Sequence, residues 1–203
     1  MKAQPQAESR LRIGFALDRR YYALMGAPQR DKASAILDVA RVFERASVPY
    51  AIMGGVAVQI HTREPRTTLD LDIALITKDD IPVEALKDAG FQHEGSFRFS
   101  DNWRAPGPGP RRERTSVQFS ADDLTAEAVA HAGIITLEGV KVSVVAPKEL
   151  VALKVAVAME PRRCQTRRIV DYADIRRLLE EHPELWAEFP GLQDDLDQIK
   201  SML

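Results

Sequence analysis

The stretch RTTLDLDIAL, residues 66–75, places two carboxylates, Asp70 and Asp72, inside a run that otherwise has the apolar pattern of a buried β-strand. Residues two apart in a strand point to the same face, so both carboxylates share one small region of space. Burial and mutual repulsion both disfavour the ionised pair. A divalent cation between the oxygens relieves both costs, and Mg²⁺ prefers carboxylate oxygen. The pattern predicts a Mg²⁺ site at Asp70 and Asp72; its alternative is a solvated edge strand.

The composition indicates an ordinary globular protein. The chain has 203 residues, 45% of them hydrophobic, which is enough for one domain with a substantial core. The 28 basic and 30 acidic residues give a formal charge of −2, so no global field attracts nucleic acid or an anionic membrane. No apolar run approaches the roughly 20 residues of a membrane span, and the N-terminus lacks the apolar core of a signal peptide. With its single cysteine, Cys164, the chain is predicted to be cytoplasmic, with no membrane partner.

Strand and helix patterns alternate over the first two-thirds of the chain, and helices follow Pro147. Periodicity predicts strands at 50–53, 68–77, 96–100 and 113–120, and a hairpin at 134–145. It predicts helices at 31–46, 82–90, 125–132 and 147–159, and again from 167 onward. The order predicts an α/β (α+β) fold, a mixed β-sheet flanked by helices with a helical C-terminal region. We divide the chain into an N-terminal arm or short helix (1–30), a sheet domain (31–146) and a helical region (147–203) that completes the site.

A glycine pair, Gly54 and Gly55, follows the first predicted strand. Glycines there form a tight strand-to-helix turn, and they also let the backbone approach a phosphate closely. The N–H groups of the helix that begins at this turn would face the anion. A phosphate site beside a metal-binding pair is the outline of a site for phosphoryl or nucleotidyl transfer.

The run GGVAVQIHTREPRTTLDLDIAL, residues 54–75, resembles the signature of the nucleotidyltransferase superfamily, in which a glycine pair follows one strand and D-x-D lies on the next. More narrowly, GG-x-A from Gly54 and R-x-T-x-D-x-D from Arg66 resemble the AbiEii-type nucleotidyltransferase toxins and related minimal nucleotidyltransferases. PKELVALKVAVAM (147–159) and RRIVDYADIRRLL (167–179) resemble C-terminal helices of the same family. The resemblance covers about residues 50–179.

The resemblance implies a nucleotidyltransferase-like fold and the transfer of a nucleoside monophosphate from a nucleoside triphosphate (NTP) to an acceptor hydroxyl on RNA or protein. It implies one or two Mg²⁺ ions, and it suggests a toxin of a toxin–antitoxin system with a cognate antitoxin as partner. The implied roles are metal binding and catalysis for Asp70 and Asp72, contacts with the nucleotide for Gly54, Gly55, Arg66 and Thr68, a phosphate contact and catalysis for Lys154, and completion of the catalytic pocket for Asp171.

Gln118 stands where nucleotidyltransferases of this fold commonly have a third carboxylate. An amide can neither take a proton at neutral pH nor offer a charged oxygen to a second metal. Asp122 or Asp123 could replace it only if the chain bends, because either lies more than about 13 Å further along an extended strand. The alternative is a catalytically inactive module that binds nucleotide or a protein partner. A third interpretation is an antitoxin-like protein that uses residues 1–30 as a contact arm.

Three further charged features each have two interpretations. Lys154 lies in an apolar helix and needs an anionic partner or a phosphate. Asp171 either completes the pocket or, together with Asp174, pairs with Arg167, Arg168 or Arg177 on an exposed helix face. Basic clusters at 111–114 and 162–168 are either solvated loop charge or a rim that attracts a polyanionic acceptor such as an RNA end.

Overall fold

The seven strands of the described residues form one mixed sheet. The computed structural model describes residues 4–24, 26, 32–64, 66–98, 100–108 and 110–203. The strands are β1 Ala51–Met53, β2 Asp70–Leu75, β3 Gln92–Ser96, β4 Ser100–Arg104, β5 Ser116–Ala121, β6 Gly133–Leu137 and β7 Val140–Val144, in the spatial order β3-β4-β5-β2-β1-β7-β6. The β1–β7 and β2–β5 pairs are parallel, and the other pairs are antiparallel. The predicted mixed sheet is confirmed.

Helices lie between the strands and make up the C-terminal region, as predicted. They are α1 Gln4–Leu24, α2 Lys32–Ala46, α3 Gly54–His61, α4 Val83–Asp88, α5 Asp123–Ala130, α6 Pro147–Met159, α7 Gln165–Glu181, α8 Leu185–Glu188 and α9 Leu192–Ser201. Pro147 begins α6, where its fixed φ suits the first helical position. Among the described helices, none has both the length and the apolar character needed to cross a membrane.

The strand predicted at residues 96–100 is wrong. β3 ends at Ser96 and β4 begins at Ser100, and Phe97 N–H donates to the Ser100 carbonyl within the connection. β3 is an edge strand whose side chains are mostly exposed, so it carries no apolar alternation that a sequence pattern could detect. Phe99 lies outside the described residues.

The two faces of the sheet differ sharply at β2, β5 and β4. On one face the side chains of Leu71, Ile73, Val117, Phe119 and Trp103 are buried. Phe43 of α2 contacts this core face, with its ring centroid 5.5 Å from that of Phe119. The alternate residues point to the other side, where Ala74 is buried and the rest are half-buried; the half-buried ones are Asp70, Asp72, Ser116, Gln118, Ser120, Ser100, Asn102 and Arg104. We call this second surface the open face.

The N-terminal segment forms a helix of 21 residues, where an arm or short helix was expected. α1 buries Ala7, Leu11 and Phe15 in the main core and packs against α3 and β6. The side chain of Lys32, at the start of α2, donates a hydrogen bond to Asp18 of α1, and both side chains are buried. Residues 27–31, between the two helices, lie outside the described residues.

Candidate functional site

The predicted carboxylate pair lies where β2 passes the end of β1. Asp72 is the register partner of Met53, the last residue of β1, and Gly54 follows at once as the first residue of α3. An ideal Cβ on Gly54 would lie 2.1 Å from Asp72 Oδ2, and the φ of Gly54 is +64°. Only glycine combines this conformation with such close contact. The carboxylate of Asp72 therefore lies directly against the start of α3.

Arg66 and Thr68 lie at the same helix start. An ideal Cβ on Gly55 would be 2.0 Å from Arg66 Nη1 and 2.8 Å from Thr68 Oγ1. The N-cap residue of α3, Met53, makes no side-chain capping hydrogen bond. A helix N-terminus carries partial positive charge, and Arg66 adds a full one. These groups suit an anion such as a phosphate.

Helices α6 and α7 bring a network of ion pairs close to the carboxylate of Asp72. Lys154 Nζ of α6 lies 2.9 Å from Asp171 Oδ1 and 2.9 Å from Asp174 Oδ2, both on α7. Arg163 Nη2 lies 2.6 Å from Asp171 Oδ2. Arg66 Nε donates to Asp174 Oδ1 at 2.7 Å. The side chains of Asp171 and Asp174 are buried, so the exposed helix face of the alternative is wrong, although Asp174 Oδ1 does lie 3.5 Å from Arg177 Nη1, one of the arginines it named.

The network joins residues from three separated parts of the sequence. Asp174 fixes both Arg66 of the loop before β2 and Lys154 of α6, while Asp171 holds Lys154 and Arg163. The sequence predicted Arg66, Lys154 and Asp171 as site residues, but it did not predict Asp174 or Arg163. The signal was present in the spacing of Asp171 and Asp174, which lie three apart and so share one face of a helix.

The environment of Asp72 raises its pKa to about 6. Burial is the largest cause, and the charge of Asp70 adds to it; Lys154, Arg66 and Arg163 act in the opposite direction. The ionised carboxylate therefore costs free energy in the ligand-free protein, even with three cations close by. A bound cation would remove this cost.

We expect Asp72→Asn to stabilise the ligand-free protein at pH 7.5. Since folding raises the pKa of Asp72 from 3.8 to about 6, its contribution to stability is complete below pH 3.8 and is lost as the pH rises through about 6. The neutral asparagine avoids this loss, a gain of about 1–3 kcal/mol, with the lower end favoured because Asp72 is half-buried. Urea denaturation in EDTA at pH 4, 6 and 7.5 measures the difference. A gain that is the same at all three pH values, or a loss at pH 7.5, would contradict the assignment.

Gln118 lies directly beside the carboxylate pair. It is the register partner of Asp72 on the parallel strand β5, and Asn102 of β4 is its partner on the other side. The carboxylate of Asp122 does not substitute, because it accepts a hydrogen bond from Thr125 N at 2.8 Å and caps α5. Asp122 also lies beyond the end of β5, three or more register positions from Asp72. The neutral amide of Gln118 is thus the group that faces this edge of the site.

The donor set at the site fits Mg²⁺ rather than a transition metal. The described ranges contain no group of three or more His, Cys, Asp or Glu side chains that could hold a metal by themselves. Asp70 and Asp72 supply two hard oxygen ligands on one face of β2, half-buried and close to a helix N-terminus. Mg²⁺ is commonly held by one or two carboxylates, with waters and substrate phosphates completing an octahedral shell. The two carboxylates could hold one such ion.

Solved structures share this architecture. The antigenic nucleotidyltransferase-like protein from Paracoccidioides brasiliensis superposes with a TM-score of 0.51 at 18% identity, covering 81% of this chain and 91% of its own. The antibiotic-resistance factor ANT(2'')-Ia gives a TM-score of 0.51 at 14% identity, covering 85% and 98%. JHP933 from Helicobacter pylori gives 0.53 at 16% identity, covering 84% and 78%. The chain has a nucleotidyltransferase-like fold.

The sequence comparisons add nothing to this result, because no protein-family model and no curated protein matches the chain. The solved structures confirm the resemblance to the nucleotidyltransferase superfamily as a likeness of fold. The narrower resemblance to AbiEii-type toxins stays a prediction from the sequence motifs.

Proposed function

We propose that this nucleotidyltransferase-like protein transfers a nucleoside monophosphate from an NTP to an acceptor oxygen of RNA or protein, in a Mg²⁺-dependent reaction. The observation that supports it best is the contact between the carboxylate of Asp72 and the glycine turn at the start of α3. This contact places two candidate metal ligands next to a site suited to phosphate. Nucleotidyl transfer requires both, because a phosphate chain must be bound and its developing charge neutralised.

The residues of the chain would have separate roles in this reaction. Bound Mg²⁺ would supply charge neutralisation and orient the phosphates. The N–H groups at the start of α3, with Arg66 and Thr68, would bind the phosphates that leave as pyrophosphate. Asp174 would orient Arg66 and Lys154, since it pairs with both. Lys154 lies between two carboxylates in the ligand-free protein and would balance the charge of Asp171 and Asp174 while facing the site.

The biological role is proposed from the sequence motifs. The motifs from Gly54 to Asp72 and in α6 and α7 support a toxin controlled by a cognate antitoxin. Dependence on NTP and the lone Cys164 both fit a cytoplasmic location.

A second candidate function is an inactive module that binds nucleotide or a protein partner. Gln118 favours it, because an amide beside Asp72 cannot act as a base. The two proposals differ in one result, since the inactive module forms no product even when it binds NTP.

The first test is a thermal melt with each NTP, with and without Mg²⁺. We expect Mg²⁺-dependent stabilisation, because a ligand that binds only the folded state raises its stability by mass action. The shift should be lost in the Asp70→Asn/Asp72→Asn double variant. It should be weakened in Gly55→Ala, whose new methyl group displaces the end of the Arg66 side chain and also presses against Thr68, with Oγ1 at 2.8 Å and Cβ at 2.9 Å.

Gly133→Ala is the matched control for the glycine change. A Cβ on Gly133 would meet only the Val144 carbonyl at 4.0 Å, an ordinary contact, and the φ of Gly133 is not positive. This variant should keep both the melting temperature and the NTP shift. Mg²⁺-dependent shifts of equal size in the wild type and the double aspartate variant would contradict the site, and no shift with any NTP would contradict the proposed function.

A further inference from the structure

We infer that the acceptor is a phosphate monoester at the end of an RNA strand, bound on the open face beside Asp72. This inference rests on the proposed function and names the acceptor group for the same site. It follows from the side of β2 on which the acceptor must approach, from the neutral residues there, and from the charge beyond them.

The approach is set by the strand order. β1 and the start of α3 lie on one side of β2, and β5 and β4 lie on the other. In nucleotidyl transfer the attacking oxygen and the leaving pyrophosphate lie on opposite sides of the α-phosphorus. If pyrophosphate is held at the start of α3 and the α-phosphate lies over Asp70 and Asp72, the acceptor lies over β5 and β4. These two strands carry the part of the open face that lies beyond β2.

The residues that meet the acceptor there are neutral hydrogen-bonding groups. Asp72, Gln118 and Asn102 form one row across three adjacent strands, which are about 4.8 Å apart. Ser116 and Ser120 lie on the same face on either side of Gln118. The Oδ1 atom of Asn102 is buried and has no hydrogen-bond partner among the described residues. Gln118 and Asn102 can bind an oxygen-rich group, but beyond Asp72, which is proposed to hold the metal, the row has no carboxylate that could remove a proton from an acceptor hydroxyl.

A phosphate monoester needs no such base. Its second pKa is near 6, so at neutral pH it is largely a dianion with a nucleophilic oxygen. A carboxylate at position 118 would repel this dianion, whereas the N–H₂ group of an amide can donate to it. The replacement of the expected carboxylate by Gln118 thus suits an acceptor that is already charged.

Positive charge lies further along the open face. Arg104 and Arg111 both pair with Glu94, at 2.8 and 3.3 Å, so two cations share one anion. The Arg104 side chain also donates to the backbone carbonyl of Arg114 at 3.1 Å, which fixes its guanidinium at this edge. Such a cluster favours a polyanion with several phosphates over a peptide that carries only one. The observations therefore favour RNA as the carrier of the phosphate.

The proposed reaction needs no proton acceptor, because the attacking phosphate oxygen is already deprotonated. A terminal oxygen of the RNA phosphate attacks the α-phosphorus of the NTP and forms a new P–O–P bond. The bond from the α-phosphorus to the oxygen bridging to the β-phosphorus breaks, and pyrophosphate leaves with the electron pair. The product is RNA joined to a nucleoside monophosphate through a pyrophosphate linkage.

The test uses NTP labelled at the α-phosphate and two forms of one short oligoribonucleotide. The first has a 5′-phosphate and a blocked 3′ end; the second has a 5′-hydroxyl and a free 3′-hydroxyl. We expect label on the first form alone, and we expect its release by an enzyme that cleaves pyrophosphate linkages but not phosphodiesters. Fluorescence anisotropy without NTP or Mg²⁺ should show tighter binding of the phosphorylated form.

The matched pair of variants is Gln118→Glu and Gln198→Glu. Both add one negative charge, but Gln198 is exposed on α9, away from the open face. We expect Gln118→Glu to raise the KM for the phosphorylated oligoribonucleotide about tenfold or more through repulsion, while the NTP melting shift is kept. Gln198→Glu should change neither value.

Label on the 5′-hydroxyl form, or on a phosphoserine peptide in place of RNA, would overturn the inference and leave the proposed function standing. Equal KM values for the two glutamate variants would also overturn it. No product with either oligoribonucleotide overturns it as well. Failure of the proposed function is seen separately, as the absence of a Mg²⁺-dependent NTP shift.

Discussion

Replacing Asp72 by Asn is expected to lower the rate of nucleotidyl transfer by at least about 10³-fold, because a bound metal ion contributes several kcal/mol of transition-state stabilisation and about 4 kcal/mol corresponds to this factor. The amide keeps the volume of the side chain but removes the charged oxygen that Mg²⁺ prefers. The measurement is the initial rate of label transfer from NTP over a range of Mg²⁺ concentrations.

The loss cannot be attributed to unfolding if the stability prediction above holds. Because burial and Asp70 penalise the ionised form of Asp72, the variant should be at least as stable as the wild type at pH 7.5. Asp123→Asn is the control with the same chemical change, on an exposed residue at the start of α5. It should keep the wild-type rate. Wild-type activity in Asp72→Asn would contradict the proposed metal site and the mechanism built on it.

Much of the fold could be predicted because its signals are local. The α6 helix begins at the proline and spans the residues that its apolar pattern indicates. β2 and the β6–β7 hairpin likewise follow from apolar runs and from the left-handed turn at Glu138 and Gly139. The edge strand β3 was missed because most of its side chains are exposed, so burial imposes no pattern on its sequence.

Some contacts of the candidate site could likewise be predicted from local sequence, and others could not. Gly54 and Asp72 lie within one short segment, and the antiparallel pairing of β1 with β2 brings them together. Their proximity could therefore be predicted from the sequence motif. The partner of Arg66 could not be predicted, because Asp174 is 108 residues away and reaches it only through the packing of α7. Local patterns specify which face of a helix is apolar, but they do not specify which distant loop that helix contacts. The position of Asn102 beside Gln118 was apparent only from the register of β4 and β5.

The second large effect concerns the ion pair between α1 and α2. Lys32→Met is expected to destabilise the protein by about 3–5 kcal/mol, because it leaves the charge of Asp18 buried without its cation. The side chains of Lys32 and Asp18 are only 1% and 3% exposed. Asp18 Oδ1 is buried and has no hydrogen-bond partner in the described part of the chain, so no other described group there offsets the loss of Lys32.

The double variant Asp18→Leu/Lys32→Met tests whether charge, rather than packing, is the cause. With both charges removed and apolar side chains of similar size in their place, most of the lost stability should return. Urea denaturation of the two single variants, the double variant and the wild type completes the cycle. A double variant as unstable as the sum of its parts would show that the pair acts through packing alone.

The ion pair between α1 and α2 is also expected to affect the candidate site, because α1 packs against α3, whose N-terminus faces Asp72. On α1, Gly14 lies so close to Gln59 of α3 that a Cβ would be 0.9 Å from Gln59 Nε2. A weakened α1 should therefore loosen the helix that is proposed to bind phosphate. We expect the Mg²⁺-dependent NTP shift to fall in Lys32→Met and to return in the double variant. A shift that stays at the wild-type value in Lys32→Met would show that α3 holds its position without α1, and deletion of residues 1–30 would then be a valid test for a contact arm.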